Sequence, residues 1–508
     1  MKTLALGLIV LMLGIFTACG GSMGSTTPPP PPPPPPPTVN ASITVDSTTN
    51  GPFNLAMSTS FQPAEWDDNF FCSDINSCTP QTWLTARTTL LTNLVPHHVR
   101  LQTISQGIPE SGPNTWSFSV LDSITQPVLS AGDQSPEMQL GWAPSFLWSQ
   151  GSNQGTLDVP GFTTYTQDMV AYYNTAAGFT ANGQTFQSPS QIPVTWWGIL
   201  NEPSINNISD TQYVQIYNTV VPAMQAIDPS VKFVAIELCC NSEGTYVPTF
   251  ASGLQPGVPV DAVATHYYSS CNQKDTDQQV MSTVPGFATS VQNIYQYMKV
   301  NAALANVPVW ITENNVNADF DKGGGISNCN GTPFVTDDRG SSAFFAAWRP
   351  YVFSQVGQAG AQALYHWDFG ADKQYGEVDY STANTQLSYW VDYWLGQMFP
   401  AGSGQLLLQS SNTDTTDIEV LPVKNADGSV LVMISNHAVA SPSDNNGAGL
   451  TANISVDTSA LGSFTSASEV VIDSSTSAAT GPSPVTVSTA SPIKLSLNGY
   501  SVAFIKLQ

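Results

Sequence analysis

The stretch T-W-W-G-I-L-N-E-P, Thr195 to Pro203, is a β-branched and aromatic run that stops abruptly at Asn201, Glu202 and Pro203. A second stretch, V-P-V-W-I-T-E-N-N from Val307 to Asn315, stops the same way at Glu313. A continuous apolar run is how a strand buried on both faces reads, and a polar loop at its end is where such a strand delivers a side chain to a barrel mouth. The two glutamates stand about 110 residues apart, so several structural units separate them. Two carboxylates placed in this way are equipment for acid, base or nucleophilic chemistry.

Outward from these stretches, residues 51–399 alternate short apolar runs with longer amphipathic ones, the pattern of repeated βα units. Eight strands are predicted: Asn54–Ser60, His97–Gln102, Met138–Ala143, Thr195–Leu200, Val231–Leu238, Val260–Tyr267, Val307–Thr312 and Ala361–Trp367. Helices are predicted between them. Ser209–Ile227 opens on the capping box S-D-T-Q and carries Tyr213, Ile216, Tyr217 and Val220 on one face. Gln292–Ala305, Gly340–Val356 and Gln386–Phe399 read as further amphipathic helices. The fold class expected is α/β, a (β/α)8 barrel with its site at the C-terminal ends of the strands. Glu202 and Glu313 fall at the ends of the fourth and seventh.

After Pro400 the pattern changes to short alternating runs, among them Ile418–Val423, Val430–Asn436, Ile454–Val456, Val470–Ile472 and Tyr500–Leu507. Asp427-Gly428 is a hairpin signal between the first two. Residues 400–508 therefore read as an accessory antiparallel β-sandwich, and residues 38–50, with the run Ala41–Asp46, as a strand added to it.

The chain has 508 residues, 41% hydrophobic and only 10% charged, with a net charge of −24. A surface this negative repels phosphate backbones, so no nucleic-acid partner is expected. Lys2, the apolar run Leu4–Phe16 and the small residues before Cys19 form an export signal too short to span a membrane. Residues 1–19 resemble a lipoprotein signal with Cys19 as the lipidated residue. Phe16 departs from the usual aliphatic residue of that pattern, which keeps plain secretion as the alternative. Residues 20–37 are a Gly/Ser/Thr stretch and a proline run, Pro28 to Pro37, which form a stiff extended stalk. The expected location is outside the cytoplasm, anchored to the outer membrane on its periplasmic or cell-surface side, with membrane contact only through the lipid at Cys19.

Six cysteines remain: Cys72, Cys78, Cys239, Cys240, Cys271 and Cys329. An even set in an exported chain is expected to be oxidised. Cys72 and Cys78 close a small loop; the adjacent Cys239 and Cys240 are each expected to take one of Cys271 and Cys329. No metal is expected, because no ligand spacing accompanies them. His97-His98 and Gly323–Gly325 also lack the partners of a metal or phosphate site and read as structural.

N-E-P ending the fourth strand and an apolar-T-E ending the seventh resemble the signature of clan A glycoside hydrolases. The accessory sandwich with its N-terminal strand makes the chain most like glycoside hydrolase family 39. Leu200 stands where that family commonly carries Trp, so families 30, 5 and 51 remain rivals. The resemblance implies a retaining hydrolase of β-glycosidic bonds in xyloside- or glucoside-type glycans, with no cofactor. Glu202 would be the acid/base, holding a proton for the departing oxygen, and Glu313 the ionised nucleophile. It further implies that Arg100, in H-H-V-R-L-Q, and His266 and Tyr268, in T-H-Y-Y, flank the nucleophile. Tyr267 would replace Tyr268 if the strand end is bulged. Asn201 would bind the sugar, Trp367 in Y-H-W-D would form the floor under it, and Trp142 would stack on it. Trp66 and Trp148 are weaker stacking candidates, and Trp196 and Trp197 read as core. A non-catalytic glycan-binding surface lipoprotein and a transglycosylase of the same mechanism are the alternatives. A binder gains nothing from two like-charged carboxylates held together.

Overall fold

Eight parallel strands close into a barrel: Ala56–Phe61, Val99–Gln102, Glu137–Leu140, Trp196–Ile199, Lys232–Leu238, Ala262–Ser270, Val309–Asn317 and Ala363–His366. The expected (β/α)8 barrel is therefore present, and each predicted strand overlaps an observed one. The computed structural model describes residues 37–62, 70–72, 78–131, 136–151, 153–240 and 242–508. Cys19, the signal and linker residues 1–36, and Trp66 lie outside the described residues.

A helix follows every strand, from Thr85–Leu94 after the first to Leu387–Met398 after the eighth. Asp210–Ile227 begins at the Ser209 capping box, with the Ser209 and Gln212 side chains satisfying each other's backbone N–H groups. Val284–Met298 starts earlier than its predicted counterpart, with proline in its first turn. Ala343–Gln358 departs from the amphipathic reading: among its sixteen residues only Ala343, Gln355 and Gln358 escape full burial. The barrel covers one side of it and the accessory sheet the other, and a helix covered all round needs no polar face. Among the described residues, no helix is long and apolar enough to cross a membrane.

The accessory part is one nine-stranded sheet that curls around its own core of Val45, Ile434, Ile454, Ile505 and their neighbours. Thr38–Pro52 lies inside this sheet, antiparallel to Leu406–Asn412 and parallel to Thr451–Asp457. The opposite faces of Ile418–Lys424, Val430–Asn436 and Ser501–Leu507 send Leu421, Met433 and Phe504 into the core shared with the barrel.

The cysteines correct one expectation. Cys72 pairs with Cys78, but Cys239 bonds its neighbour Cys240, and Cys271 bonds Cys329. Topology explains the difference. Cys271 directly follows the sixth strand and Cys329 lies in the loop after the seventh, so adjacent strand ends bring them together, Cα to Cα 5.8 Å apart. Cys240 adopts a left-handed backbone, φ 65°, beside its partner.

Candidate active site

The barrel interior is layered. Its lower layer is apolar: Trp196, Val234, Ala262, Ala264, Trp310 and Ala363 surround Tyr365. His98 joins this layer, its ring 4.5 Å from that of Trp310, and the His97 ring lies 3.9 Å from His98, tilted by 37°. Above it the interior becomes charged. Arg100, Glu137, Glu237 and Thr312 are all fully buried there. Buried charges at this density persist only when each is paired or hydrogen-bonded.

Two β-bulges shape this upper layer. The pairing of strands six and seven matches Thr265 with Ile311 but His266 with Glu313, so Thr312 is an extra residue. Strand seven also continues to Asn317 rather than stopping before Glu313 as the sequence suggested. The bulge breaks the alternation, and both Thr312 and Glu313 reach inward. The second bulge lies between Ala235 and Leu238 of strand five. There Ile236 and Glu237 take φ of 83° and 45°, costly angles for side chains bearing a Cβ.

Glu313 is gripped at both oxygens. Arg100 Nη1 donates to Oε1 at 3.0 Å, and the Tyr268 hydroxyl donates to Oε2 at 2.8 Å. Arg100 also donates from Nη2 to Asn201 Oδ1 at 2.9 Å. His266 Nδ1 lies 2.8 Å from Glu202 Oε1 and 3.5 Å from Glu313 Oε2. One oxygen of Glu202, one of Glu313 and a ring nitrogen of His266 all lie within 4.8 Å of one another. Glu202 is the more open of the two acids, its side chain 17% exposed against 7% for Glu313. Leu200 and Glu202 both take left-handed φ, 61° and 45°, where the chain turns out of strand four.

Strand six, between the two bulged strands, keeps its own alternation. His266 and Tyr268 point inward, while Tyr267 stacks on Phe287 of the following helix with ring centroids 4.8 Å apart. Trp367 is half-buried at the end of strand eight, edge-on to Tyr375 at 4.9 Å, with its backbone N–H on Asn314 O. A cis peptide joins it to Asp368. Trp142 is half-buried beyond strand three; its N–H donates to Thr103 O, and the preceding Gly141 O accepts from Asn201 N. No hydrogen bond among the described residues joins the Trp142 side chain to the acid cluster. Trp148 belongs to the apolar core rather than to the mouth, as do Trp197 and, inside the barrel, Trp196. Gly323–Gly325 form an exposed turn around the Asp321 carboxylate, which accepts from the N–H groups of Gly323, Gly325 and Ile326. A loop that spends its amides on its own aspartate is not a phosphate cradle.

The sequence reading missed the acids beneath the site. Glu237 Oε2 accepts from Thr312 Oγ1 at 2.6 Å and from Arg100 Nη2 and His266 Nε2, each at 3.3 Å. Burial alone would raise its pKa, but the charges of Arg100 and His266 and the hydrogen bonds outweigh that and hold it at about 2. For His266, burial opposes protonation, yet the Glu313 charge and its contacts with Glu202 and Glu237 raise its pKa to about 10. Glu137 accepts from the Tyr365 hydroxyl at 2.8 Å, and burial together with the Glu237 charge pushes its pKa well up. The signal available in sequence was a single acid inside the apolar run V-K-F-V-A-I-E-L.

No family model matches the chain, and no curated protein matches it in sequence. Solved structures do match in fold. A family 39 β-xylosidase from Caulobacter crescentus is 14% identical, with a TM-score of 0.59 over 92% of this chain and 99% of its own. A thermostable family 51 α-L-arabinofuranosidase from Thermotoga petrophila is 11% identical, with a TM-score of 0.64 over 92% of this chain and all of its own. The catalytic domain of a family 30 xylanase from Talaromyces cellulolyticus is 16% identical, with a TM-score of 0.58 over the same share of this chain and all of its own. Similarity at these identities establishes the fold: a barrel with an accessory sheet of the kind glycoside hydrolases use.

Proposed function

We propose that the chain is a retaining glycoside hydrolase, cleaving β-glycosidic bonds in xyloside- or glucoside-type glycans. The observation that carries the proposal is the approach of Glu202 and Glu313, whose oxygens come within 4.8 Å. Retaining enzymes hold their two carboxyl groups about 5–5.5 Å apart, whereas inverting ones need about 6.5–9.5 Å to admit a water. Glu313, oriented by Arg100 and Tyr268, attacks the anomeric carbon and forms an ester as the glycosidic C–O bond breaks. Glu202 gives its proton to the departing oxygen. It then takes one from an incoming water, whose oxygen displaces Glu313 and restores the free enzyme. In this reading the Asn201 amide binds the sugar hydroxyl beside the anomeric carbon, a contact that strengthens in the transition state; its hydrogen bond from Arg100 supports the role.

The xylosidase, xylanase and arabinofuranosidase among the fold neighbours support a carbohydrate substrate. Three disulfides fit a chain that leaves the cytoplasm. We assign Cys19 as its lipid anchor, residues 20–37 as the stalk, 51–399 as the catalytic barrel and 400–508, with 38–50, as the accessory domain. A screen of aryl β-xylosides, β-glucosides and polysaccharides tests the activity, with Glu313→Gln as control. Turnover by the wild type that vanishes in the variant is expected; equal turnover by both overturns the assignment.

A further inference from the structure

The mechanism above leaves Glu237 without a task, although the surrounding architecture is built around it. Strand five bulges to turn this side chain inward, at the cost of two left-handed residues. Tyr213 holds the bulge in place: its hydroxyl accepts from Ile236 N at 2.7 Å and donates to Ile199 O on strand four at 3.1 Å. Strand four in turn omits a side chain at Gly198. A Cβ there would lie 2.8 Å from Glu237 Oε1 and 3.2 Å from Glu137 Oε1. Among the described residues no donor group hydrogen-bonds to those two oxygens, and both lie close to the space a Gly198 side chain would fill. A single proton shared between the carboxyls satisfies both.

We propose that Glu237 is a positioning residue for glycoside cleavage: a buried, permanently ionised counter-ion that orients Arg100 toward Glu313 and holds His266 as an imidazolium between the two catalytic acids. This rests on the assignment of Glu202 and Glu313 above. Among the described residues, Glu237 is the one fully buried carboxylate that touches both cations. It reaches Arg100 from strand two, His266 from strand six and Thr312 from strand seven. The other ionisable groups facing it are Glu137 from strand three, Tyr365 from strand eight and Tyr213 from the helix after strand four.

Charge conservation gives the arrangement its logic. Double displacement starts from an anionic Glu313 and a proton on Glu202; around them stand Arg100 and His266 as cations, Glu237 as the anion and Glu137 with its pKa pushed well up. In the glycosyl-enzyme Glu313 is a neutral ester and Glu202 has lost its proton. The buried network is neutral in both states, so the low-dielectric site never holds an uncompensated charge between them. Without Glu237 it would carry an excess positive charge throughout.

The test has two arms. In the wild type, ¹⁵N NMR of the His266 ring should show both nitrogens protonated at about pH 8, well above the ordinary imidazole pKa of about 6.5. A neutral ring there overturns the proposal, whether or not any glycoside is turned over. In Glu237→Gln, checked for native circular dichroism, the His266 titration should move down by at least about one pH unit. The alkaline limb of kcat/KM should also move to lower pH, by at least about half a unit. Removing a buried negative charge eases loss of either proton the active form needs, from Glu202 or from His266. A purely structural role would lower kcat and leave the limb and the titration where they were; that outcome overturns the proposal. Absence of glycosidase activity in the wild type would instead defeat the functional assignment, while the NMR arm still decides the role of Glu237.

Discussion

Glu202 and Glu313 make different demands on the residues beside them, and single substitutions should separate those demands. Glu313→Gln removes the proposed nucleophile while keeping its shape, and kcat should fall by about 10⁴-fold or more with native stability retained. Glu202→Gln should behave selectively. An aryl leaving group that departs without a proton keeps its first step, so a burst should precede slow turnover; an alkyl glycoside should lose about 10²–10⁴-fold in kcat/KM. His266 and Glu237 also set the response to pH. The folded pKa of His266 is raised to about 10, so its stabilising contribution is full below about pH 6.5 and is lost as pH rises toward 10. Glu237 is held at about 2, so its contribution is present above about pH 4.5 and is lost as pH falls toward 2. The melting temperature should therefore decline between about pH 6.5 and 10, and His266→Asn should flatten that decline; an equally steep fall in the variant would assign it to other groups. At this scale much of the cluster was readable: Asn201 and Glu202 of N-E-P, Glu313 of strand seven, Arg100 of H-H-V-R, and His266 and Tyr268 of T-H-Y-Y lie together in it, whereas His97, His98 and Tyr267 face elsewhere. Glu237 was not, because a lone acid in an apolar strand declares its burial but not the partners that three other strands bring to it.

Elements position these side chains through departures from regularity. Strand periodicity predicts eight runs because alternation and apolar continuity are local properties. A bulge adds one residue to one strand, and nothing in a short apolar run marks where it falls. Hence Glu313 reads as a strand end, although it lies inside a strand whose alternation slips at Thr312. The link between strands four and five offers a test. Tyr213→Phe leaves Ile236 N–H buried without its acceptor, an expected loss of about 1–3 kcal/mol in urea unfolding. Because that bulge aims Glu237, activity should fall further than the stability loss accounts for at temperatures where the variant is folded. Unchanged kcat in a destabilised Tyr213→Phe would show that the bulge only braces the barrel.

Across the whole molecule, residues 37–508 form one compact unit, and the junction of barrel and sheet is polar as well as apolar. Asp277, fully buried, accepts from Asn446 N and Gly447 N, each at 2.8 Å, and from the Tyr500 hydroxyl at 3.1 Å; Arg339 lies 3.5 Å away. Asp277→Ala strands the two backbone N–H groups and the Tyr500 hydroxyl, while Arg339 keeps its pairing with Asp337, and should cost about 3–5 kcal/mol, read as a lower urea midpoint. Barrel and sheet should still unfold in a single transition, because the helix Ala343–Gln358 belongs to the core of both. The barrel itself was legible from its eight-fold alternation. The Cys239–Cys240 pairing and the all-round burial of that helix were not, since each depends on what packs alongside and on which strand ends become neighbours. What matters most at every scale is whether Glu313 attacks the sugar. The most direct measurement is mass spectrometry of peptides from enzyme trapped with a slow fluorinated aryl glycoside of a sugar it turns over. A glycosyl adduct on the peptide containing Glu313 is expected; an adduct on another residue, or turnover of that sugar with inverted product and no adduct, would contradict the account.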